Sequence, residues 1–76
     1  MAMNTTYAII QSVNDEYHVK TLHSAPAITS DLLSLVVAIN HRHELKVWFP
    51  KQLPIETAQS MAEKFAADMK KDLSDS

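Results

Sequence analysis

The sequence contains no glycine and no cysteine. At average usage a chain of this length would carry about five glycines. Glycine lets the backbone approach a phosphate closely and adopt positive φ without a steric cost. Its absence excludes a P-loop, a dinucleotide-binding fingerprint and a glycine-flanked nucleophile elbow. The absence of cysteine excludes disulfides, thiolate nucleophiles and zinc–thiolate sites.

The sequence also lacks a large excess of charge of either sign and has no long apolar run. Seven Lys and Arg against nine Asp and Glu give a net charge of −2. This balance supplies neither the basic field of a nucleic-acid-binding protein nor the acidic field of a DNA mimic. The longest apolar run, residues 35–39, is far shorter than the roughly 20 residues that span a membrane. With no signal-peptide pattern at the start, we expect no membrane partner and a cytoplasmic location.

The length allows a single domain, residues 1–76, in which we expect 1–4 and 74–76 to be flexible. A domain of about 60 residues buries only about 60% of its unfolded surface. Domains this small are commonly stabilised by disulfides, a metal or oligomerisation. Because the sequence has neither cysteine nor a strong cluster of metal ligands, we expect oligomerisation to stabilise this domain.

The first part of the chain has the pattern of a β-hairpin. Strands are predicted over 5–13 and 16–23, with the turn at Asn14-Asp15, because both residues tolerate left-handed backbone. A two-residue loop would leave apolar residues on both faces, whereas a three-residue loop over 14–16 gathers most of them on one face. These residues are Tyr7, Ile9, Val13, Tyr17 and Val19. We therefore predict the three-residue loop.

Residues 30–43 fit two patterns. A helix over about 30–41, with an N-cap and a first-turn carboxylate, would give a ββαβα alternative. A strand would place alternate apolar residues on one face, namely Leu33, Leu35, Val37 and Ile39. We predict the strand, followed by a hairpin tip over 40–42 and a returning strand over 44–49.

The C-terminal segment has the clearest pattern. Pro54 suits the first position of a helix, and Glu56 suits its first turn. Apolar residues then recur at intervals of three and four: Ile55, Ala58, Ala62, Phe65, Met69 and Leu73. The sequence thus predicts an α+β fold, a small antiparallel sheet of three to four strands in two hairpins, followed by one amphipathic C-terminal helix packed on one face.

The face of the sheet away from the helix is predicted to be half apolar. It would carry Ala8, Ile10, Leu22, Val36, Ala38 and Trp48 among polar side chains. Such a sheet needs cover on both faces, and a second copy related by a two-fold axis is the simplest cover. We expect a homodimer that buries this face or joins at a sheet edge.

The densest polar cluster lies at and after the second hairpin tip, His41-Arg42-His43. Its two histidines share a face, but no third ligand is defined, so we predict no metal site. Arg42 with Lys46 could hold an anionic group, since guanidinium forks onto carboxylate or phosphate. Trp48 is a candidate interface anchor. The predicted binding residues are therefore His41, Arg42, His43, Lys46 and Trp48, with no catalytic residue and no cofactor.

The sequence has no carboxylate pair in an apolar setting and no definable catalytic triad, so we do not expect an enzyme. We expect a small interaction protein, a homodimer that binds and modulates or inhibits another protein. In size and lack of motifs the chain is similar to short accessory proteins of phages and mobile elements, several of which antagonise host defence or regulators; this likeness of build transfers no residue. The alternative is a binder of a small anionic ligand, nucleotide or nucleic acid through the His41-Arg42-His43 tip.

Overall fold

A computed structural model describes residues 3–27 and 29–74. Its elements are β1 (Asn4–Val13), β2 (Glu16–Leu22), β3 (Leu32–Asn40), β4 (His43–Pro50) and α1 (Ile55–Ser74). The predicted α+β class is confirmed, because two hairpins form a four-stranded sheet and one helix follows them. Residues 32–40 form a strand, so the alternative with a helix in this segment is wrong.

The sheet is mixed, whereas the sequence predicted an antiparallel one. Each hairpin is antiparallel, but β1 and β4 lie side by side in the order β2-β1-β4-β3 and run parallel. Ala8 pairs with Val47, and Ile9 pairs with Trp48. The central position suits β1 and β4 because they carry the most buried side chains, while the more polar β2 lies at an edge. Strand periodicity does not specify which strands become neighbours, so this pairing was not predictable.

The first hairpin turns through two residues, so the predicted three-residue loop is wrong. Val13 pairs with Glu16, which leaves only Asn14 and Asp15 in the turn. Both have left-handed backbone, with φ of 53° and 66°. Positive φ at both central residues is the signature of a type I′ turn, whose twist matches that of the strands it joins. The register of this hairpin therefore follows the twist of the turn and not the arrangement that would place most of the apolar residues on one face.

The apolar residues of β1 alternate between the two faces of the sheet, and those that face the helix are not the predicted ones. Ala8 and Ile10 are 0% and 1% exposed and belong to the core, although the sequence placed them on the outer face. Tyr7 and Ile9, predicted to face the core, lie on the opposite face and are half-buried. The predicted core face is therefore wrong for β1. It is right for β4, whose core residues are Leu45, Val47 and Phe49.

The helix α1 presents a ridge of small residues to the sheet. Ala58, Ala62 and Ala66 recur at spacings of four, and each is at most 4% exposed. Small side chains allow the helix backbone to approach the strands closely, mainly over β3. Ile55 and Leu73 are 55% and 38% exposed, so the predicted apolar stripe is buried only in its middle.

The connection from β2 to β3 crosses the sheet, because these two strands form its opposite edges. The crossing segment (residues 23–27 and 29–31) lies on the face opposite α1, where Ala25, Pro26 and Thr29 line a cavity together with Trp48. Trp48 alternates with core residues and therefore points away from α1. Cover by the crossing segment explains why Trp48 is nevertheless only 7% exposed.

The ends of the described chain lie in regular structure. β1 begins at Asn4 and α1 ends at Ser74, within the termini that the sequence led us to expect as flexible. The same expectation for residues 1, 2, 75 and 76 lies outside the described residues.

Replacing Asp15 with glycine should stabilise the protein. Left-handed backbone costs roughly 1–2 kcal/mol for an ordinary residue and less for Asp, while glycine loses roughly 0.5–1 kcal/mol of chain entropy. We expect a net rise of about 0.5 kcal/mol in the free energy of unfolding, measured by urea titration. The control Asp15→Val should lower it, because a β-branched residue resists positive φ. Equal stability of the three proteins would contradict the turn geometry.

Candidate functional site

The second hairpin turns at His41-Arg42, and the side chain of Asn40 organises this turn. Asn40 Oδ1 accepts a hydrogen bond from the Arg42 backbone N–H at 2.8 Å and lies 3.1 Å from Nδ1 of His43. On the far side of the ring, His43 Nε2 lies 3.4 Å from Nδ2 of Asn4. Because Asn40 Oδ1 can only accept and Asn4 Nδ2 can only donate, neutral His43 carries its proton on Nδ1.

His43 therefore has a structural role where β1 meets β4. Both of its ring nitrogens are engaged, so a metal or an anion would have to displace an asparagine. Nearby, the Asn4 N–H donates to the Arg42 carbonyl at 2.9 Å, and Thr5 Oγ1 donates to Oε1 of Glu44 at 3.0 Å. These contacts tie the first residues of β1 to the second hairpin and hold the parallel register of the central pair.

Lys46 and Trp48 lie on the face opposite α1, together with a residue of β1. The Lys46 Nζ is 5.3 Å from the centroid of the Trp48 ring. The rings of Tyr7 and Trp48 are 5.6 Å apart between centroids and inclined by 38°. A cation–π contact of this kind is worth about 0.5–2 kcal/mol, depending on its exposure to solvent. We call these three residues the aromatic–lysine stack; sequence reasoning had assigned its tyrosine to the core.

The structure does not bring all the predicted binding residues together. His41 and Arg42 are exposed at the turn, and His43 is half-buried on the side of α1. Lys46 and Trp48 lie in contact with each other on the opposite face. Residues separated by an even number of positions on a strand share a face, as Lys46 and Trp48 do. His43 is an odd number of positions from both, so its side chain lies on the other face of the sheet.

The face opposite α1, which we call the open face, carries a band of apolar and cationic side chains. Two rows of paired positions cross all four strands: Leu22, Tyr7, Lys46 and Val36 in one, and Lys20, Ile9, Trp48 and Ser34 in the next. Val36 is 56% exposed, whereas Trp48 lies under the crossing segment. The open face is therefore only partly covered by the chain itself.

The strand β3 forms an edge of the sheet with neither charge nor proline. Its nine residues run LLSLVVAIN, and Leu33 and Val36 are 43% and 56% exposed. The opposite edge, β2, carries Glu16, His18 and Lys20. Charged side chains of that kind protect an edge strand from pairing with other chains. Among the described residues no strand pairs with the outer side of β3.

Neither a cluster of metal ligands nor a membrane-spanning helix is found among the described residues. No three His, Cys, Asp or Glu side chains among them lie close enough together to hold a metal ion. In the same part of the chain, no helix has both the length and the apolar character needed to span a bilayer. The buried side chains that the structure describes are all apolar.

Comparison with protein-family models, curated proteins and solved structures gave no match to this chain. The surfaces of the molecule are therefore the basis on which a function can be proposed.

Replacing Asn40 with alanine should loosen the second turn. The change removes the acceptor of two N–H donors, each contributing about 0.5–1.5 kcal/mol, so we expect the free energy of unfolding to fall by about 1–2 kcal/mol. Nitrogen-15 NMR should show neutral His43 protonated on Nδ1 in the wild type and a mixture of tautomers in Asn40→Ala. The exposed neighbour provides the control, His41→Ala, which should change neither quantity. A wild-type His43 protonated on Nε2 would contradict the assigned contacts.

Proposed function

We propose that this chain is a small interaction protein without catalytic activity. It acts in the cytoplasm as a homodimer and modulates or inhibits another protein by binding it through the open face. The observation that carries the proposal is the band of apolar and cationic side chains on the open face, which lies on the side away from the helix and keeps Val36 56% exposed.

The open face combines two features of a protein-binding surface. The first is apolar area that a partner can remove from water: Val36 is 56% exposed, and Leu22, Tyr7 and Ile9 are half-buried. The second is preorganisation, because the Tyr7 ring already contacts Trp48 and loses little rotational freedom when a partner covers it. Aromatic anchors of this kind dominate the binding energy of many interfaces.

The charges on the band indicate the chemistry of the partner. Lys20 and Lys46 lie in neighbouring rows of the open face. The acidic strand residues on this face, Glu16 and Glu44, lie outside these two rows, paired with Val13 and with Thr5 and Ala38 respectively. The middle of the band is thus cationic although the chain has a net charge of −2. A protein surface of apolar side chains interspersed with acidic ones complements it.

The alternative function, binding of a small anionic ligand at the second hairpin tip, has less support. His43 is engaged by two asparagines, and Lys46 lies on the other face of the sheet in contact with Trp48. Only His41 and Arg42 remain exposed at the tip, and two flexible side chains do not form a preorganised anion site.

Charge reversal on the open face should abolish partner binding. Tagged wild type and Lys20→Glu/Lys46→Glu serve as baits in a lysate of the cells that produce the protein, and bound proteins are quantified by mass spectrometry. We expect at least one protein that is retained by the wild type and reduced at least about tenfold by the variant, because the cationic band loses its complementarity.

A matched control carries the same charge change on the exposed side of α1. Lys70→Glu/Lys71→Glu should retain the captured protein at the wild-type level, and circular dichroism should show that both variants are folded. Equal capture by all three baits, or capture of nothing but the chain's own second copy, would refute the proposed function.

A further inference from the structure

The uncharged edge of β3 is long enough to pair with another strand along most of its length. Native proteins protect such edges with lysine, proline, a bulge or a covering element. Here the β3–β4 register shifts between Ala38 and Asn40, so the part that precedes this irregularity keeps a regular ladder, and no strand of the described residues pairs with its outer side. A strand added there would find a row of free backbone donors and acceptors.

We propose that β3 pairs antiparallel with β3 of a second copy, with the two Val36 residues facing each other at a two-fold axis. The inference rests on the proposed function in one respect, the homodimer, and assigns that dimer its interface. The sheets of the two copies then join into one continuous sheet.

The side chains at the centre of β3, residues 34–38, are self-complementary about Val36. In the proposed register Leu35 faces Val37 of the second copy, and Ser34 faces Ala38 of the second copy. Large apolar residues thus meet large ones, and small residues meet small ones. Facing residues are separated by an even number of positions, so each pair lies on the same face of the sheet. Both helices then lie on one side of the joined sheet, and both open faces lie on the other.

The two ends of β3 carry opposite charge. Asp31 directly precedes the strand, His41 and Arg42 directly follow it, and all three are exposed. Antiparallel pairing brings Asp31 of each copy beside the His41-Arg42 turn of the other copy, and the two-fold axis makes this contact twice. Parallel pairing would place Asp31 beside Asp31 and Arg42 beside Arg42. The charge pattern therefore selects the antiparallel arrangement.

The side chains and charges of β3 indicate that the strand bound at this edge is β3 of a second copy. The side-chain sizes and the end charges of β3 complement β3 itself, without any further partner. Pairing about a two-fold axis uses both β3 edges and leaves only the β2 edges, which carry Glu16, His18 and Lys20. Those charges prevent further strand addition, so association stops at the dimer.

A single introduced cysteine tests the register, because the chain contains no cysteine of its own. In Val36→Cys the two thiols face each other with Cβ atoms about 4.5–5.5 Å apart, within the reach of a disulfide after small adjustment. We expect Val36→Cys to form a covalent dimer under mild oxidation at micromolar concentration. Ser34→Cys, whose opposite position is 38, and Lys20→Cys on the β2 edge should stay uncrosslinked. Ser34→Cys mixed with Ala38→Cys should form the mixed dimer.

Charge exchange tests the contact between the ends. Analytical ultracentrifugation should show a wild-type dimer. Asp31→Arg or Arg42→Asp should each raise the dissociation constant of the dimer by about tenfold, because each change acts twice per dimer. The double variant Asp31→Arg/Arg42→Asp should return to within about twofold of the wild type, since the contact is restored with its charges exchanged. Independent, additive losses in the double variant would overturn the proposed contact.

The outcomes separate this inference from the proposed function. A dimer that cross-links through Lys20→Cys but not through Val36→Cys overturns the β3 interface alone. A wild-type monomer at all concentrations overturns both the β3 interface and the homodimer of the proposed function. Neither result changes the capture experiment with the open-face variant. Conversely, a Val36→Cys protein that cross-links, together with a wild-type bait that captures no other protein, supports the interface and refutes the proposed partner binding.

Discussion

The parallel pairing of β1 with β4 is the constraint on which the rest of this molecule depends. Because these two apolar strands occupy the centre of the sheet, β2 and β3 become its edges and the chain between them has to cross a face. The crossing segment covers Trp48 on that face, and the central pairing places Tyr7 directly beside Lys46. The aromatic–lysine stack, the partly covered open face and the free edge of β3 are all consequences of one strand pairing.

The two surfaces that result have different orientations, and Val36 belongs to both. At the edge of β3, in the plane of the sheet, we propose pairing with a strand of the same sequence. On the open face, we propose binding of a partner with acidic side chains. In the proposed dimer the open faces of both copies become one surface on the side away from the helices. Oligomerisation would thus extend the binding surface as well as stabilise a small domain.

Asparagine and aspartate occupy turn positions that glycine would usually take in a sequence that contained it. Asn14 and Asp15 adopt the left-handed backbone that glycine would usually supply. At the second turn, the side chain of Asn40 accepts two hydrogen bonds and positions His43 against β1. Sequence reasoning recognised these residues as turn formers but predicted the wrong loop length, because it weighted one-sided burial above strand twist. It also predicted Lys46 and Trp48 as binding residues. That Tyr7 lies beside them could not be predicted, because it depends on the parallel pairing of β1 with β4.

By itself the sequence determined the elements, since the periods of strand and helix, the turn residues and the helix start are local properties of neighbouring residues. The positions of β1, β2, β4 and α1 could therefore be predicted closely, and so could the core face of β4, whereas the segment that forms β3 fitted both a strand and a helix. Only the tertiary structure decided that β1 lies beside β4, that Ala8 and Ile10 face the helix, and that His43 is separated from Lys46. These features depend on contacts between residues far apart in the chain, and the alternating pattern of each strand is compatible with several such arrangements.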